Sequence, residues 1–343
     1  MKKHFSLFLA IVLFYSCVKD KPNSAINTQV QLSGSKKVYV VNEGNFMAGN
    51  STISLYDPGS GQVIEKYYQG QNNSAALGDV AQSLIFYNSG FYLVVNNSAK
   101  IVVCDEQMKY KATVTGFTSP RYILPVSNSK AYVSDLYANK LFVVNLNSNS
   151  ITTSIPCPGW TEKMVLSYNK VFVTNIKRNY VYVINPANDI KTDSINVGPA
   201  AGDIVVDKND KVWVLSAGNN TAAIVPSLNK IDPLTNQVES TLNFALTDTP
   251  GSLCLNKTKD TLYFLNGGIF RMPISASSLP ATPLIQKGNR TYYGLGINRN
   301  DYTIYASDAL DYIQRSNVYI FDASGNEKTF FKAGINANSF YFE

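Results

Sequence analysis

The chain has 343 residues, 45% hydrophobic and 12% aromatic but only 16% charged, with 30 Lys and Arg against 24 Asp and Glu. A formal net charge of +6 over that length is too small and too scattered to make a nucleic-acid surface. The single His, at position 4, leaves no imidazole in the body of the chain for a Ser-His or Cys-His pair, for general-base work near neutral pH or for a transition-metal site, which excludes most hydrolase and lyase mechanisms.

Lys2, Lys3 and His4 precede an apolar run from Phe5 to Tyr15. Such a run is too short to cross about 30 Å of hydrocarbon as a helix, so residues 1–16 read as a signal peptide. It ends FYSC, a small residue followed by Cys17, which resembles the lipobox of bacterial lipoproteins with Phe14 where Leu is more usual. Cys17 is therefore expected to be the lipidated first residue of the mature chain; the other reading is a plain secretory signal with an incidental cysteine. Loss of Lys2 and Lys3 takes the balance from 30 − 24 = +6 to 28 − 24 = +4. Residues 17–36 are polar, poor in aromatics and without an apolar pattern to bury, as in a flexible tether. Lys19-Asp20 resembles the acidic signal that sends some lipoproteins to the outer leaflet. The expected location is the outer membrane, lipid-anchored and facing the exterior.

From residue 37 to 343 one phrase repeats. Paired apolar residues fall at Val38-Tyr39, Phe91-Tyr92, Ala131-Tyr132, Val171-Phe172, Val212-Trp213, Leu262-Tyr263 and Ile304-Tyr305, and the second members are 53, 40, 40, 41, 50 and 42 residues apart. A period near 40, all β in texture, points to propeller blades rather than a helical solenoid. Each pair opens a strand. Next comes a partner strand such as ISLYD, IVVCD, LFVVN, VYVIN or VYIFD, closed by Asp or Asn and often by Pro or Gly as in Asp57-Pro58-Gly59. A third, alternating strand follows (QVIEKYY, YKATVTG, SITTSIP, IKTDSIN, QVESTLN), then a loop and a short apolar strand leading into the next unit (RYILP, KMVLS, DIVVD, SLCLN, GLGIN). The first unit lacks such a leading strand, and the terminal NSFYFE has its pattern with nothing after it. The expectation is an all-β fold, a seven-bladed β-propeller with four-stranded blades, closed by the C-terminal strand joining the first blade. Closure leaves no long exposed sheet edge. An open sandwich or two smaller β domains is the alternative. Cys104, Cys157 and Cys254 are an odd number, so no complete disulfide framework is expected. Cys104 and Cys254 lie in strand-like runs and read as core thiols; the state of Cys157, in a loop, is open.

In such blades the loop before the leading strand and the loop after the paired strand emerge on one face, and tight Asp-Pro-Gly hairpins occupy the other. Function is expected on the loop face. Its segments are rich in Asn, Gly and Asp, as turns require, but Phe46, Tyr137, Trp160, Tyr180, Tyr292, Tyr293 and Tyr312 and the cations Arg121, Lys177, Arg178, Arg290 and Arg315 are larger than any turn needs. Aromatics and amides converging on the mouth of a ring suit a large, partly apolar ligand that forms hydrogen bonds. Trp160, in PCPGWTEK, is the leading candidate, because Pro158-Gly159 should hold it in a stiff turn, whereas Trp213 occupies a paired position and is explained by packing between blades. Glu43, Asp79, Asp135, Asp203 and Asp308 also lie near this face, but Asp in the repeated Gly-Asp is expected to bond backbone amides. No P-loop, G-x-G-x-x-G after a strand, or calcium loop is present, and neither cofactor nor metal is expected.

The phrases VVNEGNF, LGDVAQS, VVNNSAKI and TSPRYILPV, within a likeness spanning residues 37–343, resemble the YncE-like propeller lipoproteins, and among them most the BtuG-type surface proteins. That resemblance implies capture of cobalamin or a related corrinoid, and its transfer to a TonB-dependent outer-membrane transporter, with no enzymatic activity. Asn42, Glu43, Asn96, Asn97, Pro120 and Arg121 match its phrases and border the loop face. The competing reading is an interaction module for a glycan or partner protein on the same face. An enzyme would need a carboxylate pair facing the mouth.

Overall fold

A computed structural model of the chain describes residues 36–343. The expected signal peptide, the lipidated Cys17 and nearly all of the tether fall at residues 1–35, outside the described residues. The strands form seven antiparallel sheets of four strands each. In blades 2 to 7 the strands follow in sequence; blade 3, for example, runs through Pro120–Ser127, Lys130–Asp135, Lys140–Asn145 and Ser150–Pro156 from channel to rim. Blade 1 joins the two ends of the propeller. Val38–Asn42, Thr52–Asp57 and Gln62–Ile64 are its outer three strands and Ala337–Phe342 its innermost, with Tyr39 opposite Tyr341 and Val40 opposite Phe340. That innermost strand touches the innermost strands of both blade 2 and blade 7, and the other innermost strands contact one another in turn, so the ring is closed.

The paired apolar residues recur because the second strand of each blade lies between two neighbouring blades and is covered on both faces. VYVVN, GFYLVV and VWVLS are buried along their whole length, whereas the outer strand Ile190–Asn196 buries only Ile195. Each junction between blades holds its own apolar cluster; Trp213, Leu215 and Leu228 of blade 5 meet Leu253 and Phe264 of blade 6. Burying a large apolar side chain in this way contributes about 1.5–3 kcal/mol. Trp213 is framework as expected, and its indole N–H donates to Asp207 Oδ2 at 2.8 Å. Cys104 and Cys157 are buried and Cys254 is half-buried, all as free thiols, and burial pushes each up to about 12.

The two long steps of the repeat have separate causes. QVIEKYY is a strand only over Gln62–Ile64, and a short helix, Tyr67–Gln71, follows. The helix inserts Tyr68 into the cluster between blades 1 and 2, and Gln69 Nε2 donates to the Ser51 carbonyl at 2.9 Å. In blade 5 the loop between the second and third strands carries an extra 3-10 turn, Asn220–Ala222. The chain joins the propeller on the tight-turn face, opposite the loops that precede the innermost strands. There Lys36 Nζ donates to Asn300 Oδ1 at 2.8 Å, Lys37 N to Glu343 Oε2 at 3.2 Å, and Glu343 N to the Lys37 carbonyl at 3.0 Å.

Candidate functional site

Every innermost strand slips register near its start, at the loop-face end of the channel. The slips fall between Ala81 and Ser83, Pro120 and Ile123, Thr161 and Met164, Ala201 and Asp203, Gly251 and Cys254, and Tyr292 and Leu295, and in blade 1 opposite Val41/Asn42. A bulge re-aims the side chain it carries. At or beside these bulges stand Asn338, Gln82, Arg121, Glu162, Asp203, Ser252 and Tyr293, one from each blade in ring order.

These side chains are linked around the channel. Asn338 Nδ2 donates to the Gln82 carbonyl at 3.0 Å and to Glu43 Oε1 at 2.7 Å, and the Tyr293 hydroxyl donates to Glu43 Oε2 at 2.8 Å. The Arg121 guanidinium reaches Gln82 Oε1, and its Nε donates to both carboxylate oxygens of Glu162, at 2.8 and 3.0 Å. Lys163 pairs with Asp203, and its ammonium stands 5.6 Å from the centre of the Tyr122 ring. Burial raises the pKa of the Glu43 and Glu162 carboxyls; hydrogen bonds from Tyr293 and Asn338 oppose it at Glu43, and the Arg121 charge opposes it at Glu162. Asn338 Oδ1 is buried and accepts no hydrogen bond.

Two apolar ledges stand on the loop face at opposite sides of this ring. Tyr137 of blade 3 meets the Trp160 indole edge to face at 5.6 Å, and Lys177 Nζ lies 4.5 Å from the Trp160 ring centre. The turn beneath Trp160 is fixed from below. Asn175 Oδ1 accepts from Trp160 N at 3.0 Å, Asn175 Nδ2 donates to the Pro158 carbonyl at 2.9 Å, and so does the Tyr182 hydroxyl at 2.7 Å. Gly159 has φ +108°, and a Cβ there would lie 2.5 Å from Asn175 Oδ1, so only glycine fits. Across the ring, blades 1 and 7 present Phe46, Met47, Tyr312 and Ile313, exposed by 69%, 79%, 47% and 70%. Met47 N donates to Asp79 Oδ2, Asn45 Nδ2 to the Tyr312 carbonyl, and Tyr312 packs edge-on against Tyr293.

Several residues expected at the site have other work. Asn42 is fully buried: its Nδ2 donates to Ser54 Oγ at 2.9 Å and Thr52 Oγ1 at 3.1 Å, and its Oδ1 accepts from Gly334 N at 3.0 Å. Asn96 is likewise buried and bonds Ser119 Oγ and the Pro120 carbonyl. Both are framework, because their amides are spent on joining strands and blades. Asn97 is exposed and donates to Asp79. Arg290 turns away from the mouth, its guanidinium 3.8 Å from the Tyr319 ring centre and paired with Glu327, and it also holds the Tyr292 hydroxyl at 3.1 Å. Arg178 lies on the loop after the second strand of blade 4, and the 41% exposed Tyr180 opens its third strand. Of the two Gly-Asp acids, Asp79 accepts the Met47 amide as expected, whereas Asp203 pairs with Lys163 instead; Asp135 and Asp308 also accept backbone amides. Gln82, Glu162, Lys163, Asn338, Met47 and Ile313 were not anticipated. Asn42→Ala should cost about 1–3 kcal/mol in thermal unfolding, by orphaning Gly334 N, while loop-face binding stays intact well below the transition.

A cavity of about 310 Å³ opens on the loop face between blades 6 and 7, walled by Tyr292, Tyr293, Tyr312 and Lys287. A larger one, about 500 Å³, occupies the channel toward the opposite face. No group of three or more metal-ligating side chains occurs among the described residues.

The propeller is similar to that of a quinonprotein alcohol dehydrogenase-like protein from Bacteroides thetaiotaomicron, with TM-score 0.72 and 13% identity over 89% of this chain and 77% of that one. A functionally unknown protein from Desulfotomaculum acetoxidans gives 0.67 and 14% over 89% and 98%, and a putative 6-phosphogluconolactonase from Bacteroides fragilis gives 0.66 and 10% over 91% and 99%. At such identities the likeness is one of fold alone. No curated protein matches the sequence. Residues 36–342 match the family described as a domain of unknown function, DUF5074, and the chain belongs to that family.

Proposed function

We propose that this chain is a non-enzymatic surface receptor that captures a corrinoid on its loop face and hands it to a TonB-dependent outer-membrane transporter. The observation that carries the reading is the pair of apolar ledges, exposed Tyr137 with half-buried Trp160 and exposed Phe46 with Tyr312, on opposite sides of a ring of hydrogen-bonding side chains. A methyl-rich macrocycle fringed with amide arms would bury its periphery on the ledges. Its amides would meet Asn97 and Arg178, both exposed on the loop face. The resemblance to BtuG-type proteins names the ligand. The carboxylates of the mouth, Glu43 and Glu162, are each held by donors from neighbouring blades, which suits a binding wall better than a free acid and base pair. Anchoring through Cys17 would fit this orientation, because the chain joins the propeller on the face opposite the loops.

Isothermal titration of the folded protein with cyanocobalamin tests the reading; saturable binding at micromolar protein is expected, and absence of heat and of competition would overturn it. Trp160→Ala should weaken that binding at least tenfold, about 1.4 kcal/mol, with little shift in thermal unfolding. An indole on a stiff turn loses little entropy on binding and is a frequent hot spot. A second reading, docking of a partner protein, draws on the exposure of Met47 and Ile313 beside a loop-face cavity of only about 310 Å³. On that reading Met47→Asp with Ile313→Asp abolishes partner capture, and corrinoids give no heat.

A further inference from the structure

The channel below the polar ring differs in chemistry from its mouth. Past each bulge the innermost strands alternate so that Phe340 and Phe342, Leu253 and Leu255, and Val165 and Val205 wall a cavity of about 500 Å³, running into a second of about 300 Å³ that shares Arg299, Phe340 and Phe342. The side chains of these walls are apolar except for Cys254, Lys259 and Arg299, and the cavity opens to solvent at its rim. At the open end, on the tight-turn face, stand Arg299 and Lys259, both exposed, in the turns of blades 7 and 6. Among the described residues neither has an ion-pair partner, although ten other pairs form. Cys254, on the wall between, lies within electrostatic reach of the Lys163–Asp203 pair above and of Arg299 below, so the apolar stretch runs from one charged level to the other.

We propose that this half of the channel is a second binding site, for a free long-chain carboxylate whose tail fills the apolar bore and whose head group is held at the rim by Arg299 and Lys259. The size and the chemistry agree with known ligand sites, which are mostly apolar, some hundreds of Å³ in volume and oriented by a few polar groups. The rim charges select an anion, and the bore selects an unbranched chain over a compact one. The site is independent of the loop-face ligand, since the polar ring separates them.

The test is equilibrium dialysis of delipidated protein, residues 36–343, against dodecanoate, octanoate and uncharged dodecanol, each below its micelle concentration. Dodecanoate should bind saturably at one site, and octanoate about two hundredfold more weakly for its four missing methylenes. Arg299→Ala with Lys259→Ala should weaken dodecanoate five- to tenfold and leave dodecanol unchanged, and these exposed, unpaired residues can be replaced without loss of the fold. Val165→Trp should abolish binding of both by filling the bore, with thermal unfolding as its control. Leu166→Glu, at the 41% exposed rim position, should repel dodecanoate alone if the Trp variant does not fold. Absence of saturable dodecanoate binding, equal loss of carboxylate and alcohol in the rim variant, or undiminished binding in a folded Val165→Trp protein would overturn the proposal.

Discussion

A chain ending at Asn336 is expected not to fold. It lacks Ala337–Phe342, and with it one of the two backbone partners of Val38–Asn42, the other being Thr52–Asp57. The aromatic contacts that seal the ring are lost together, since Tyr341 lies 5.8 Å from Phe91 and 5.9 Å from Tyr39 while Phe342 lies 5.2 Å from Tyr305. Three half-buried aromatics at about 1 kcal/mol or more each, together with a row of unpaired backbone groups in a former interior, approach the whole stability of about 5–15 kcal/mol expected of a domain. The innermost strands of blades 2 and 7 would then face each other across a gap, with the inner edge of Val38–Asn42 exposed. Circular dichroism and thermal unfolding of the truncated chain should show no cooperative transition, and addition of a peptide covering residues 337–343 should restore one. A soluble truncated chain with a sharp transition near that of the full protein would mean that closure is dispensable.

The seven blades were legible because their second strands are buried on both faces and so carry unbroken apolar pairs, and the terminal NSFYFE was legible because a ring needs one more innermost strand than the preceding units supply. The helix at Tyr67 was not, since QVIEKYY alternates as an outer strand does and only tertiary burial of Tyr68 decides the matter. Trp160, Tyr137, Phe46 and Tyr312 could be found because no turn requires a large side chain. Arg290 passed the same filter yet turns onto Tyr319, because a long cation stacks where an aromatic of its own blade is within reach. The polar ring was hidden by the bulges, which aim into the channel residues that linear alternation assigns elsewhere. One signal was available: the leading strands open Ala-Gln, Pro-Arg, Thr-Glu, Ala-Gly, Gly-Ser and Ala-Asn, with a polar or small second residue before an apolar run, and Tyr292-Tyr293 is the only one to depart from it.

Arg121→Met is expected to cost about 3–5 kcal/mol, because it leaves the Glu162 carboxylate, 5% exposed, with its principal cation removed. Lys163 gives little help, being committed to Asp203. The cost should depend on pH in a direction opposite to that of an ordinary salt-bridged acid. Burial already raises the Glu162 pKa and Arg121 opposes it, so the variant carries a carboxyl raised further above its unfolded value of about 4.3. A group whose pKa is higher in the folded state binds its proton more tightly there; its contribution to stability is fully present below the unfolded pKa and is lost as pH rises through the folded one. The deficit of the variant against the parent should therefore be smallest near pH 4 and widen toward pH 7, measured by denaturant unfolding at each pH. Adding Glu162→Leu removes the orphaned charge, and the double variant should recover most of the loss, since replacing both members of a buried pair is far less costly than breaking it. A single variant as stable as the parent, or a deficit that neither acid nor the second substitution relieves, would show that the pair is solvated and that the channel mouth is wetter than its hydrogen bonds indicate.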